Sequence, residues 1–183
     1  NSSVSQLKLN EEELKMLADL RLLAGKPVFY VLNISEAQLG SEKLKALEEK
    51  DFLFLCVKLE SDIEELTESE QKEYLKSVGV DKSSLEKVIR QAYSILNLIT
   101  FFTIKGGKEV SAWPIKNGTT ALDASALVHT EMAKGFIKAE VINFSQFNSI
   151  GNWHLAHEQG KIRLEGRDYQ VKDGDIIEFK FKL

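Results

Sequence analysis

Apolar residues in the first half of the chain fall into two kinds of run. Val28-Phe29-Tyr30-Val31-Leu32 and residues 52–57 are short and unbroken, the pattern of strands covered on both faces in a parallel sheet. The other runs recur at helical spacing. Asn10 with Glu13 forms a capping-box pattern ahead of Leu14, Leu17, Ala18, Leu20 and Leu23, and Gly25 then Pro27 stop the helix. Between the two apolar runs, residues 41–50 place Leu44 and Leu47 on one side of a short helix. The order strand, helix, strand predicts a βαβ unit with parallel strands. Thr67-x-x-Glu70 caps a helix carrying Tyr74, Leu75 and Val78 and closed by Gly79, and a further helix is expected over 85–96. No other strand is expected before residue 97, so most of the sheet that would cover 28–32 and 52–57 is missing from this stretch.

The second half changes period. Residues 98–104 and 110–115 read as a hairpin about Gly106-Gly107, with Pro114 confining the second strand to an edge. Thr119 or Thr120 starts a helix whose apolar face takes in Leu122, Ala126, Leu127 and His129. Phe136, Ile137, Val141 and Ile142 form a strand opened by Gly135, where a bend or close backbone approach is expected. A short helix is predicted over 153–159. Tyr169 and Val171 are separated from Ile176, Phe179 and Phe181 by Asp173-Gly174-Asp175, which predicts a closing hairpin. This is the order of a β-grasp (ubiquitin-like) domain. The fold class is thus α/β followed by α+β, divided into 1–97 and 98–183.

Composition sets the class. The chain has 183 residues, 28% charged and 43% hydrophobic, and no apolar run approaches the roughly 20 residues that span a bilayer. It opens NSSVSQLKLN, without an initiating Met or the features of a signal peptide, so trimming at the N terminus is expected. A single cysteine, Cys56, excludes an internal disulfide and a CxxC metal site and points to a cytoplasmic setting. Residues 101–183 hold 11 Lys+Arg against 10 Asp+Glu and the rest 13 against 18, within a net charge of −4. No basic tract announces nucleic acid, and no DNA specificity is expected. The local cluster Lys161, Arg163, Arg167 and Lys172 is either an RNA-facing patch or a solvated strand face.

The residues also carry a resemblance. Phe101-Phe102-Thr103, Ala112-Trp113, Gly118-Thr119, His129-Thr130, Gly135-Phe136-Ile137, Ala139-Glu140-Val141, Gly160-Lys161, Arg163, 165–169 (EGRDY), Val171 and 173–176 (DGDI) resemble a TGS domain, and closely the one ending the YchF, or Obg-like ATPase, family. KPVFYVLNISE, residues 26–36, is similar to the base-recognition strand and loop of that family's nucleotide domain, and the resemblance covers nearly the whole chain. Pro114, Leu122, Glu131 and Met132 depart from the family's usual residues in ways that bear on packing.

The resemblance implies the C-terminal part of a P-loop ATPase that binds the ribosome, RNA or translation-related proteins. It implies that the loop Asn33-Ile34-Ser35-Glu36, lacking the Lys and Asp of a guanine-reading N-K-x-D, favours adenine, with Cys56 and Val57 on a second base-contacting loop. An amide suits this because it offers both donor and acceptor to a base edge. Read from residues alone, Asn33 is a strand-end loop residue and Cys56 a buried thiol. No Walker A motif is present: Gly25-Lys26, Gly107-Lys108 and Gly160-Lys161 are followed by Pro27, Glu109 and Ile162. ATP and Mg²⁺ therefore belong to the parent protein, and this chain alone is expected to hold neither and to be inactive. His129, His154 and His157 read as surface residues, without a shell for metal. Phe101, Phe102, Trp113 and Phe136 read as core rather than RNA-stacking aromatics. The alternative to the ATPase reading is a freestanding β-grasp interaction module.

Overall fold

A computed structural model describes residues 10–18, 20, 22–39, 41, 52–80, 82–106 and 109–182. The chain divides into two compact units, 1–96 and 97–183. In the first, helix α1 (Glu11–Ala18) starts at the expected capping box, with Asn10 N–H on Glu13 Oε2 at 2.8 Å and Glu13 N–H on Asn10 Oδ1 at 2.9 Å. It ends short of the expected Leu23, and a separate 3-10 turn covers Leu23–Gly25. Strands β1 (Tyr30–Asn33) and β2 (Phe52–Leu55) pair in parallel, Tyr30 opposite Phe52 and Asn33 opposite Leu55. The helix expected over 41–50 lies outside the described residues.

Helices α2 (Val57–Glu64), α3 (Glu68–Ser77) and α4 (Ser84–Ile95) follow. Side chains satisfy several of their termini. Glu70 closes the box on Thr67, and the Gln71 amide donates to the Ile63 and Leu66 carbonyls at the end of α2. Glu60 on α2 accepts from the N–H groups of Ser84 and Leu85 at the start of α4. Leu59, Ile63, Leu75 and Cys56 form a small core with Ile34, Leu39, Tyr74 and Val78 around it. As expected of a sheet most of which is missing from this stretch, β1 is left partly uncovered by the described residues of this unit. Tyr30, Val31 and Leu32 are 62%, 39% and 38% exposed, because one strand pair and its helices cannot wrap two apolar faces.

The second unit is a five-stranded mixed sheet. Its strands are β3 (Leu98–Lys105), β4 (Glu109–Lys116), β5 (Phe136–Asn143), β6 (Arg163–Glu165) and β7 (Asp175–Phe181), in the spatial order β4-β3-β7-β5-β6. β7 runs parallel to β3 and antiparallel to β5, so the last strand in sequence sits at the centre. Pro114 lies on edge strand β4, where its missing N–H costs no ladder bond. Helix α5 (Ala121–Val128), N-capped by Thr120, and the short α6 (Thr130–Lys134) cover one face. Under them lie Phe101, Ile115, Ala139, Val141, Ile177 and Phe179. Helices α7 (Phe144–Ile150) and α8 (Trp153–Glu158) cover Ile104, Ile142 and Ile176 on the other.

Two sequence expectations are corrected here. The buried positions of α5 are Ala121, Ala124 and Ser125, while Leu127 is exposed. Small residues face inward because the helix presses close against the sheet. The closing hairpin is also absent. Residues 166–172 are irregular and run beside the start of α5, with Ala121 N–H on the Tyr169 carbonyl and Val171 N–H on that of Thr119. The turn at Asp173-Gly174 instead pins three strands: Thr100 N–H donates to Asp173 Oδ1, Gly174 N–H to the Thr100 carbonyl, and Phe144 N–H to the Gly174 carbonyl. The residues dictate a turn at this point, but local sequence does not say which strand a turn docks against.

Gly135 does mark a close approach. A Cβ there would fall inside contact distance of the Lys182 carbonyl oxygen, at the point where Lys182 N–H donates to the Gly135 carbonyl at 2.9 Å. Gly135→Ala is therefore expected to lower unfolding stability by about 1–3 kcal/mol in urea denaturation. Gly166→Ala, where a Cβ meets open space, stays within about 0.5 kcal/mol.

Candidate functional site

In the first unit, the two parallel strands deliver their carboxyl ends side by side, where ligands of open α/β sheets bind. Asn33 ends β1, and Ile34 N–H continues the ladder by donating to the Leu55 carbonyl at 3.0 Å. The chain then turns into a 3-10 segment, Glu36–Gln38, fixed by Ser35: its N–H and hydroxyl both meet Gln38 Oε1, at 2.9 and 3.1 Å. From the neighbouring strand, Cys56 is buried at the N-cap of α2 and makes no side-chain cap bond. Asn33 supplies that bond instead. Its Oδ1 accepts from Val57 N–H at 3.3 Å, so the amide ties the two loops and leaves its NH₂ end as a donor.

These loops enclose an open groove of about 560 Å³, lined by Asn33, Ile34, Ser35, Glu36, Ala37, Cys56 and Lys58. Five of the six residues singled out from sequence line it. Val57 contributes its backbone while its side chain faces solvent. Ala37 and Lys58 also line the groove. Lys58 has a partner: Nζ lies 3.7 Å from Glu36 Oε1, a buried oxygen that accepts no hydrogen bond from the described residues. The volume suits a planar heterocycle, with an amide donor and a carboxylate at its rim.

In the second unit, Arg163 is partly exposed yet tied into a local network that the other three cations of the cluster do not share. Arg163 on β6 donates to Tyr169 OH and Glu165 Oε1, both at 3.1 Å, lies over the Tyr169 ring, and sits 3.7 Å from Asp175. Burial opposes its charge, but Tyr169, Asp175 and Glu165 outweigh this and hold its proton more tightly than usual. Tyr169 OH donates to buried Asp175 at 2.7 Å; burial first, and that bond next, push the phenol up to about 12. Lys161, Arg167 and Lys172 are exposed, although Arg167 touches the Phe136 carbonyl at 3.4 Å.

The histidines divide similarly. His129 and His154 are surface groups beside Glu131 and Glu158. His157 is anchored: its Nε2 lies 2.9 Å from Glu140, a buried carboxylate on β5 also approached by Lys138 at 3.3 Å and Lys180 at 3.5 Å. Sequence reasoning missed this cluster because its members are separated along the chain; the alternation Lys138-x-Glu140 on one strand face was the only signal. Phe101 and Phe136 are core, as expected, and the Trp113 indole donates to Thr103. Among the described residues, no group of three or more His, Cys, Asp or Glu could hold a metal ion.

Comparison with known proteins places these features in a family. Residues 98–182 match the family model YchF-GTPase_C, described as a protein of unknown function. The ribosome-binding ATPase YchF of Bacillus subtilis is 36% identical over 187 residues, covering 97% of this chain and 51% of the relative. That of Buchnera aphidicola subsp. Schizaphis graminum is 40% identical over 183 residues, covering 97% and 50%. The solved YchF GTPase of Schizosaccharomyces pombe superimposes with a TM-score of 0.82 at 27% identity, over 98% of this chain and 50% of that one. The chain thus spans about half the length of the curated relatives it matches.

The Glu140 cluster carries a pH prediction. Burial raises its carboxyl, but His157, Lys180 and Lys138 together hold it below the ordinary 4.5. A carboxyl depressed in the folded state stabilises above its unfolded value, and that contribution is lost as pH falls through the folded value. Glu140→Gln is expected to flatten the fall of unfolding stability below about pH 4.5, measured by denaturant titration at stepped pH.

Proposed function

Because the chain belongs to the YchF family and matches the C-terminal part of its members, we propose that it is the C-terminal portion of a ribosome-binding, translation-associated P-loop ATPase of the Obg-like type. The observation that carries this reading is the groove at the ends of β1 and β2, where Asn33 bridges to the backbone of the second loop. Asn33, Ile34, Ser35, Glu36, Cys56 and Val57 form its base-binding side, and adenine is the preferred base. The Asn33 NH₂ donates to a ring nitrogen, and the groove has room for the purine. The sequence holds no phosphate loop and no hydroxyl set for Mg²⁺, so those parts come from the remainder of the parent protein. The exposed apolar residues of β1 support this, since they need further strands to cover them.

The second unit acts as a TGS-type β-grasp docking domain. Its strand order, with the C-terminal strand central and parallel to the first, and a helix across one face, supports that assignment. Lys161, Arg167 and Lys172 supply the free cations toward ribosomal RNA, and Arg163 buttresses them from inside the Tyr169–Asp175 network. The setting is cytoplasmic.

Two outcomes test the reading in the full-length protein. Asn33→Ala should weaken ATP binding about tenfold in calorimetry while leaving ribosome pelleting unchanged; unaltered ATP affinity would return the groove to a structural loop. Charge reversal at Lys161 and Lys172 should reduce pelleting, and more so at low salt, where phosphate contacts dominate. Pelleting that ignores both changes would leave the cluster as a solvated surface.

A further inference from the structure

We propose that Lys58 is a positioning residue that sets base selectivity in the groove by holding the Glu36 carboxylate away from the base. The inference rests on the base-binding reading of Asn33. A carboxylate free to reach a purine favours guanine, whose ring N–H and exocyclic NH₂ offer two donors to two oxygens. Adenine offers one donor beside a ring lone pair, so the same carboxylate meets repulsion there. Glu36 lines this groove, and its Oε1 is buried and accepts no hydrogen bond from the described residues. Buried as it stands, that oxygen meets a ligand donor only when the side chain swings into the groove, the movement that attraction to Lys58 opposes.

Lys58 is the group that competes for it. Its Nζ lies 3.7 Å from that oxygen, too far for a hydrogen bond and close enough for charge attraction. Both ends of the pair are fixed in the backbone. Glu36 opens the 3-10 turn held by Ser35 and Gln38, and Lys58 stands in the first turn of α2, next to the Val57 N–H that Asn33 caps. Asn33 and Lys58 therefore clasp the same two loops, one through an amide and one through charge. The Lys58 side chain is 77% exposed, so its attraction is screened and its effect on selectivity is modest.

The test is calorimetric binding of ATP and GTP by the full-length protein, with Lys58→Met, Lys58→Arg and the double variant Lys58→Met with Glu36→Gln. Lys58→Met should move the GTP-to-ATP affinity ratio toward GTP by about two- to fivefold, near the most an exposed ion pair contributes. Lys58→Arg should keep the original ratio, and the double variant should lose the shift, since the amide no longer offers two acceptors. A role in folding alone would weaken both nucleotides together, and that result, or an unchanged ratio in Lys58→Met, overturns the proposal. Wild-type protein that binds neither nucleotide would remove the base-binding reading, and this inference with it.

Discussion

The second unit depends on one insertion. Strand β7, the last to emerge in sequence, fills the gap between β3 and β5, with Asp175, Ile176, Ile177 and Phe179 all buried. Without it the sheet is two separate strand pairs, β3 with β4 and β5 with β6, each too small to hold a core. With it, both apolar faces become continuous. Helices α5 and α6 then have one surface to cover and α7 and α8 the other. The constraint also explains the glycine at 135, because the backbone of β7 must come within contact of the backbone that opens β5.

A central strand laid down last needs its start fixed, and the polar groups around residues 169–175 do that. Asp173 and Gly174 bond the beginning of β3, Gly174 also holds the end of β5, and Asp175 receives the Tyr169 hydroxyl from the irregular segment before the turn. Asp175 is nearly fully buried, so its charge is tolerable only because Tyr169, the Lys172 backbone and Arg163 surround it. The same arrangement divides the basic cluster. Arg163 is tied to Tyr169 and Glu165, while Lys161 and Lys172 stand exposed.

The first unit is built on the opposite economy. Its helix termini are held by Glu60, Glu70 and Gln71, yet strand β1 leaves apolar residues in solvent. What it completes is the edge of a groove. Parallel pairing brings two loops together, the Asn33 amide joins them, and an ion pair crosses the groove they form. The groove needs only those loop positions to be fixed, and two parallel strands suffice to fix them.

Much of this was written in the sequence. Capping pairs such as Asn10–Glu13 and Thr67–Glu70, the parallel character of 28–32 and 52–57, the edge role of Pro114 and the close approach at Gly135 are local consequences of residue type and spacing, and each is observed. Other features were decided only in three dimensions. The partners of the Asp173-Gly174 turn, the Glu140–His157 pair and the reach of Lys58 to Glu36 all join residues whose separation carries no periodic signal. Local sequence fixes backbone conformation through sterics and short-range hydrogen bonds. Which surfaces then meet depends on burying apolar area across the whole sheet, a sum over distant residues that no single stretch contains.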